Sequence, residues 1–358
     1  MIPAVLPQKA GHPTILRLSL GSAVVLGLYK ATMYAAPTTT LYTILGEHCM
    51  GACRFCTQAR DGAADPRFLS RIVWPAFDLE AVLDRLARAQ GLHRICVQTL
   101  RYAGLPADLV YVVERMRQVS DLPISVCMNP VRSEWLNRLK AAGVERVGIG
   151  LDCATEATFE RVKPGFHWDW YHRFLQEVMS IFSGGSVHLI VGLGDSDESL
   201  IRKIQEVFDH RCTVALFAFT PVRGARLKKP APNIGRYRAI QLARYLIVHN
   251  QVRAEAMDFV QGRLVALHTA SAVLAPALAS GEPFQTSGCP GCNRPFYNER
   301  PGGDMYNYPA SLTAAESSSA FRELSTYLID PEIMATKAIL QEMTTNETAM
   351  ATAETGRA

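Results

Sequence analysis

Cys49-Met50-Gly51-Ala52-Cys53-Arg54-Phe55-Cys56 places three thiols at positions i, i+4 and i+7. It follows directly on a β-type run, Thr38-Thr39-Thr40-Leu41-Tyr42-Thr43-Ile44-Leu45-Gly46. Thiolate is the usual ligand of iron–sulfur clusters, and three so close in sequence can wrap one face of a cube of four irons. One iron is then left without a protein ligand, and an open position separates a reactive metal site from a structural one. The plainer alternative is a zinc knuckle that borrows a fourth ligand from elsewhere in the chain. A CxxC pair alone serves zinc, dithiols and clusters alike, whereas three Cys at this spacing behind a strand are far more specific.

Outward from that loop, apolar strand-like runs alternate with amphipathic helical stretches, the pattern of a parallel sheet. The spacing predicts helices at about Leu79–Gln90, Ala107–Val119, Ser133–Ala142 (stopped by Gly143), Trp168–Phe182, Glu198–Asp209 and Tyr237–Asn250. Between them it predicts strands at His93–Thr99, Pro123–Met128, Arg146–Asp152, Ser186–Gly192 and Thr213–Phe219, with Val252–Phe259 as a seventh. The expected fold class is α/β, a TIM-barrel-like barrel, full or nearly full, over residues 38–284. A helical extension (1–37) precedes it. A C-terminal segment (285–343) follows, carrying a CxxC and helices near Ala314–Leu328 and Pro331–Met343, and then a disordered tail (344–358). In a parallel barrel, ligands gather at the C-terminal ends of the strands. The cysteine loop, Asp152 and Gly192–Asp195 all fall at such ends.

A chain of 358 residues with 48% hydrophobic content can bury a large core. Its net charge of +4 is too small to argue for nucleic acid or a membrane surface. The apolar stretch Ile15–Tyr29 is interrupted by Arg17 and two Gly and is too short to span a bilayer, so it reads as a helix packed on the barrel. No secretory signal pattern precedes it, and the expected compartment is the reducing cytoplasm. There the nine Cys read as metal ligands or buried apolar residues rather than disulfides.

The CxxxCxxC spacing, with Phe55 just before the third Cys, resembles the signature of the radical SAM enzymes. The resemblance implies a [4Fe-4S] cluster on Cys49, Cys53 and Cys56 whose open iron holds the amine and carboxylate of S-adenosylmethionine (SAM). From Thr38 to about Leu227 the chain is similar to biotin synthase. Ile190–Asp195 resembles the motif behind the SAM adenine, and Leu151-Asp152 the dipeptide whose Asp meets the ribose. Trp170-Tyr171-His172-Arg173 resembles the context of the Arg that pairs with the SAM carboxylate, and Thr220–Gly224 the segment after strand six. Phe55, Asp152, Arg173, Ile190 and Gly192 are therefore expected around the cofactor.

Cys96 and Cys127 fall on strands where biotin synthase carries two ligands of a sacrificial auxiliary cluster. Its third such Cys would fall near Ser186, and its strand-seven Arg has no clear match in Val252–Asp258. This chain has instead Cys289-Pro290-Gly291-Cys292-Asn293-Arg294. The whole arrangement resembles one component of the two-component lipoyl synthase. Read by itself, the CxxC is a zinc half-site, a buried thiol pair or half of a second [4Fe-4S] cluster. The expected foursome is Cys96, Cys127, Cys289 and Cys292, with Cys153 and Ser287 in reserve and Cys212 structural. The resemblance implies transfer of sulfur from the second cluster into unactivated C–H bonds of an octanoyl chain on a carrier protein or peptide. A ferredoxin or flavodoxin would supply electrons, and a second synthase component is a candidate partner; neither nucleic acid nor membrane is expected. The alternatives are biotin synthase, another radical SAM enzyme whose second cluster is not consumed, and an electron carrier or redox sensor without catalysis.

Overall fold

The computed structural model describes residues 11–33, 36–299 and 302–336. The chain enters its main sheet through β1 (Ile15–Leu18), which is followed by the short helix α1 (Leu20–Val25) and by β2 (Thr40–Leu45). A small hairpin, β3 (Phe68–Leu69) and β4 (Ile72–Val73), leads to β5 (Ala76–Asp78). Then the βα alternation sets in: α2 (Leu79–Leu86), β6 (Arg94–Thr99), α3 (Leu105–Val119), β7 (Ile124–Met128), α4 (Ser133–Ala141) and β8 (Val144–Asp152). It continues through α5 (Glu156–Val162), α6 (Trp168–Ile181), β9 (Gly185–Val191), α7 (Asp197–Asp209), β10 (Thr213–Ala218) and α8 (Ile234–Val248).

The sheet order is β10-β9-β8-β7-β6-β2-β1-β5. The six strands from β2 to β10 are parallel and stand in chain order, while β1 runs antiparallel between β2 and β5. Tyr42, Cys96, Ser125, Ser186 and Ala215, from five of those strands, line one common cavity, so the sheet curls around its own inner face. Among the described residues nothing pairs β10 with β5, and the barrel is open along that side.

Two expectations fail for local reasons. Ile15–Leu18 is a strand, not helix: Leu16 and Leu18 are fully buried while Ile15 is exposed, a period-two pattern that suits a half-buried edge. Val252–Phe259 adds no seventh barrel strand. It forms a 3-10 turn (Ala254–Ala256) and then β11 (Asp258–Val260), which pairs back on β12 (Arg263–Ala266) in a separate hairpin. Gln261 (φ 50°) and Gly262 (φ 76°) both take the left-handed conformation that a tight two-residue hairpin needs.

The helices cover the outer face of the sheet. In α2, Leu79, Val82, Leu83 and Leu86 are all buried, and Asp78 caps the first turn through Ala81 N–H (3.1 Å). Gly143 ends α4 with φ 100°. After the barrel, α9 (Ser271–Ser280) and α10 (Ala314–Ser325) pack near α8, and residues 331–336 are helical. The rest of the helix expected to Met343, and the tail, lie outside the described residues. Arg238 of α8 is wholly buried. It donates to Glu323 Oε2 (2.9 Å), Tyr306 O (2.8 Å) and Met305 O, and Gln241 donates to Tyr306 O (3.0 Å) and Phe284 O (3.2 Å). These bonds tie the backbone at Phe284 and at Met305–Tyr306 to α8. No described helix is long and apolar enough to cross a membrane.

Candidate active site

The cysteine loop is clamped from three sides by backbone bonds: Met50 N–H to Arg101 O (2.7 Å), Arg54 N–H to Val162 O (2.8 Å) and Leu227 N–H to Arg54 O (2.6 Å). Within it, Gly51 N–H points at Cys49 Sγ (3.3 Å) and Gln58 N–H at Cys56 Sγ (3.4 Å), the donors a thiolate needs. Gly51 packs tightly there: a Cβ would come within 3.2 Å of Phe166 and 3.3 Å of Cys49 Sγ, so these side chains would have to shift. Burial pushes the Cys53 thiol up and the Cys56 thiol to about 12, so each releases a proton when it binds iron.

Cys49, Cys53 and Cys56 open onto a chamber of about 220 Å³ at the C-terminal strand ends, shared with Phe55, Asp152 and Ile190. Asp152 ends β8 with φ 68°. Its turn is braced by buried Asp195, which accepts from Ala154 N–H (2.9 Å), Thr155 N–H (3.1 Å) and Thr155 Oγ (2.6 Å). Thr220 and Val222, from the segment after β10, line the same chamber.

Two expected cofactor residues stand elsewhere. Arg173 is exposed on α6, on the turn-face opposite buried Tyr171, Phe174 and Leu175, and does not line the chamber. Gly192 is likewise absent from its wall. Its φ of 109° and the approach of Phe219 Cβ (3.0 Å from an added Cβ) make it a backbone necessity.

The basic side chain at this wall is Lys163. Its Nζ donates to Asp152 Oδ2 (2.7 Å) and Gly150 O, and it lies 4.5–5.4 Å from the ring centroids of Tyr171, Phe159 and Phe166. Burial acts to lower its pKa and the Asp152 charge overrides this, so the ammonium stays charged. Lys163-Pro164-Gly165 reads in the sequence as the approach to α6, and nothing in it signals a side chain turned back into the barrel.

Below this chamber lies a second of about 440 Å³. Gln98, His188, Phe217 and Tyr297 line both. The loop carrying Cys289 and Cys292 closes over the N-terminal strand ends: Thr39 Oγ1 donates to Gly291 O (2.9 Å) and Arg94 Nε to Pro290 O (3.1 Å). Cys289 Sγ accepts from Ser125 Oγ (3.7 Å) and reaches Ser186 Oγ (3.9 Å), while Tyr42 Oη meets Cys292 Sγ (3.4 Å). A thiol from the C-terminal loop thus stands at Ser186, where β9 carries none.

Cys96 lines this lower chamber beside Cys289 and Cys292. Cys127 stands one level higher, lining the upper chamber and contacting His188 Nδ1 (3.6 Å). Burial raises the Cys96 thiol, reinforced by Cys127, Cys289 and Cys292, and it raises Cys127 to about 12 and lowers His188 to about 4. Cys153 and Cys212 are buried in the apolar core, and the Ser287 hydroxyl is used by Leu216 N–H (3.0 Å). Among the described residues, no three His, Cys, Asp or Glu side chains converge at single-ion spacing.

A family model described as "Radical SAM superfamily" matches residues 43–207, from β2 and the cysteine loop into α7. Biotin synthase of Acinetobacter baumannii is 26% identical over 228 residues, 61% of this chain and 67% of its own. The chain thus carries a radical SAM domain and is similar to biotin synthase. Biotin synthase of Aeromonas salmonicida is 26% identical over 235 residues, 61% of each chain. Among solved structures, the [FeFe]-hydrogenase maturase HydG from Carboxydothermus hydrogenoformans aligns with TM-score 0.49 and 15% identity over 60% of this chain and 51% of its own. Methylornithine synthase PylB aligns with TM-score 0.49 and 13% identity over 59% and 62%. The aligned segment therefore spans less than two thirds of these solved chains. The radical SAM domain implies a [4Fe-4S] cluster and SAM, and the upper chamber fits both: three thiols with N–H donors, a fixed carboxylate at Asp152 and an ammonium at Lys163. The family match stops before β10 and the Cys289–Cys292 loop.

Proposed function

We propose that this radical SAM enzyme inserts sulfur into unactivated C–H bonds of a protein-bound octanoyl chain, as one component of a two-component lipoyl synthase. The observation that carries the reading is the second group of thiols. Cys96, Cys289 and Cys292 line the lower chamber of the same barrel, Cys127 stands one level higher beside the first three thiols, and Gln98, His188, Phe217 and Tyr297 line both chambers. The donor set suits a second [4Fe-4S] cluster, whose sulfide would be the sulfur source.

When bound and reduced, the upper cluster supplies the electron that splits SAM into methionine and a radical able to take hydrogen from an aliphatic carbon. The chain's own part is to hold and exclude. Asp152 and Lys163 are the polar groups that would orient SAM against Cys49, Cys53 and Cys56, with Lys163 taking over the carboxylate role expected of Arg173. Ile190, Phe55 and Phe166 keep water from the reacting carbon. Leu20, Met33, Ile72 and Trp74 give the lower chamber an apolar wall suited to a hydrocarbon chain.

Anaerobic turnover of an octanoyl-lysine peptide with SAM and a one-electron reductant, read by mass spectrometry, tests the proposal. Replacement of hydrogen by sulfur at C6, C8 or both supports it. Release of 5′-deoxyadenosine with no sulfur in the peptide overturns it. Biotin synthase activity is the second reading, favoured by the 26% identity and by Cys96 and Cys127 on β6 and β7. Sulfur incorporation into a biotin precursor, and none into the octanoyl peptide, would select it.

A further inference from the structure

Arg294 follows Cys292 by two residues and is among the residues that line the lower chamber. One nitrogen is anchored: Nη2 donates to Ser287 O (2.7 Å) and Leu216 O (3.3 Å), and the guanidinium carbon sits 3.9 Å from the Phe217 ring centroid. Nε and Nη1 are shut off from solvent and have no hydrogen-bond partner. Among the described residues no carboxylate pairs with this charge. Glu299, which also lines the chamber, is occupied by Asn298 N–H (3.0 Å) and Asn307 N–H (2.8 Å). Arg94, which also lines the chamber, donates to Ser125 Oγ, Pro290 O and Glu145.

Buried N–H groups are nearly always satisfied, and a buried cation needs an anion. The Arg294 charge acts on the thiols of Cys96, Cys127 and Cys292, and also on Tyr42, His188, Tyr237 and Tyr297, none of which is a carboxylate. A cluster held by four thiolates carries a net negative charge and presents several sulfur acceptors, whereas four neutral thiols would leave the guanidinium unanswered.

We infer that Arg294 donates Nε–H and Nη1–H to sulfur atoms of the second iron–sulfur cluster, compensating its charge and raising its reduction potential. The inference rests on the second-cluster reading of the proposed function. Hydrogen bonds to cluster sulfurs and nearby positive charge both raise a cluster's potential. Arg294 is thus a positioning and tuning residue for the lower site, on the loop that delivers Cys289 and Cys292.

The test uses the full chain with Cys49, Cys53 and Cys56 all changed to Ala, so that only the lower site is filled. Iron and sulfide are counted, and the potential is followed by an EPR redox titration. The expected results are about four irons, a more negative potential in Arg294→Gln, and partial recovery in Arg294→Lys. In the parent protein, pulsed EPR should detect a nitrogen coupling that changes on 15N-arginine labelling and disappears in Arg294→Lys. That parent measurement holds even if Arg294→Gln fails to fold. Four irons with no arginine coupling and an unchanged potential in Arg294→Lys overturn the inference and leave the second cluster standing. No cluster at all in the triple variant removes the second-cluster reading, and the inference falls with it.

Discussion

At the upper end of the barrel, Cys49, Cys53 and Cys56 lie within one loop, and its neighbours hold it by main-chain bonds alone. At the lower end, Cys96 comes from a strand and Cys289 and Cys292 from a distant loop that side chains hold in place, those of Thr39, Tyr42, Arg94 and Ser125, while Cys127 stands one level higher. The upper site is local in sequence and tolerates change in what surrounds it, provided the backbone path survives. The lower site exists only because the chain returns beneath its own first strands. Each variant below presses on one side of that contrast.

The largest effect belongs to the local site. Cys53→Ala should abolish release of 5′-deoxyadenosine from SAM while the lower thiols still bind about four irons by chemical assay. A double Cys289→Ala, Cys292→Ala change should do the reverse: iron per chain falls from about eight to about four, SAM cleavage continues, and sulfur transfer to the octanoyl peptide is lost. If the double variant also lost SAM cleavage, the two sites would not be separable as described.

Lys163→Met comes next. It leaves Asp152 without its partner in a buried setting, which typically costs about 3–5 kcal/mol in chemical denaturation. SAM affinity, measured by equilibrium dialysis, should fall with it. The pH response of the metal-free protein is smaller. Folding raises Cys56 and Cys127 from the ordinary thiol value of 9.0 to about 12, so the unfolded chain loses these protons first. Their contribution is complete below pH 9 and is lost as pH rises toward about 12. Denaturation midpoints at pH 8 and pH 10.5 check the sign, and stability that rises with pH would contradict it. Arg173→Ala should change stability by less than about 0.5 kcal/mol, as exposed substitutions do, and leave SAM affinity intact. A large loss of SAM affinity would restore Arg173 to the site.

Much of the barrel was legible because its signals are periodic. The six parallel strands between Thr40 and Ala218 and the buried face of α2 follow from apolar runs and helical spacing, whereas the short strands β3, β4 and β5 carry no such signal. The cysteine loop was legible because its chemistry is contained in consecutive residues. Lys163 was not, since the motif resemblance pointed at Arg173, and which basic group faces inward depends on how the chain between α5 and α6 turns. The seventh strand failed because Gln261-Gly262 closes a hairpin locally and outcompetes pairing with the distant barrel edge. The meeting of Cys289 with Ser186 could not be read from spacing, for no local pattern records that residues 103 positions apart will touch.

The return of the C-terminal loop also sets an order in time. The clamp on the upper thiols is complete once Leu227 has been made, because Leu227 N–H supplies its last main-chain bond. The lower thiols wait for Cys292 and for the Met305–Tyr306 carbonyls that Arg238 grips. Since a chain leaves the ribosome N-terminus first, the clamp on the upper thiols can close while the loop bearing Cys289 and Cys292 is still being translated. Nascent chains stalled between these two points would carry the first three thiols with Cys96 and Cys127, but neither Cys289 nor Cys292.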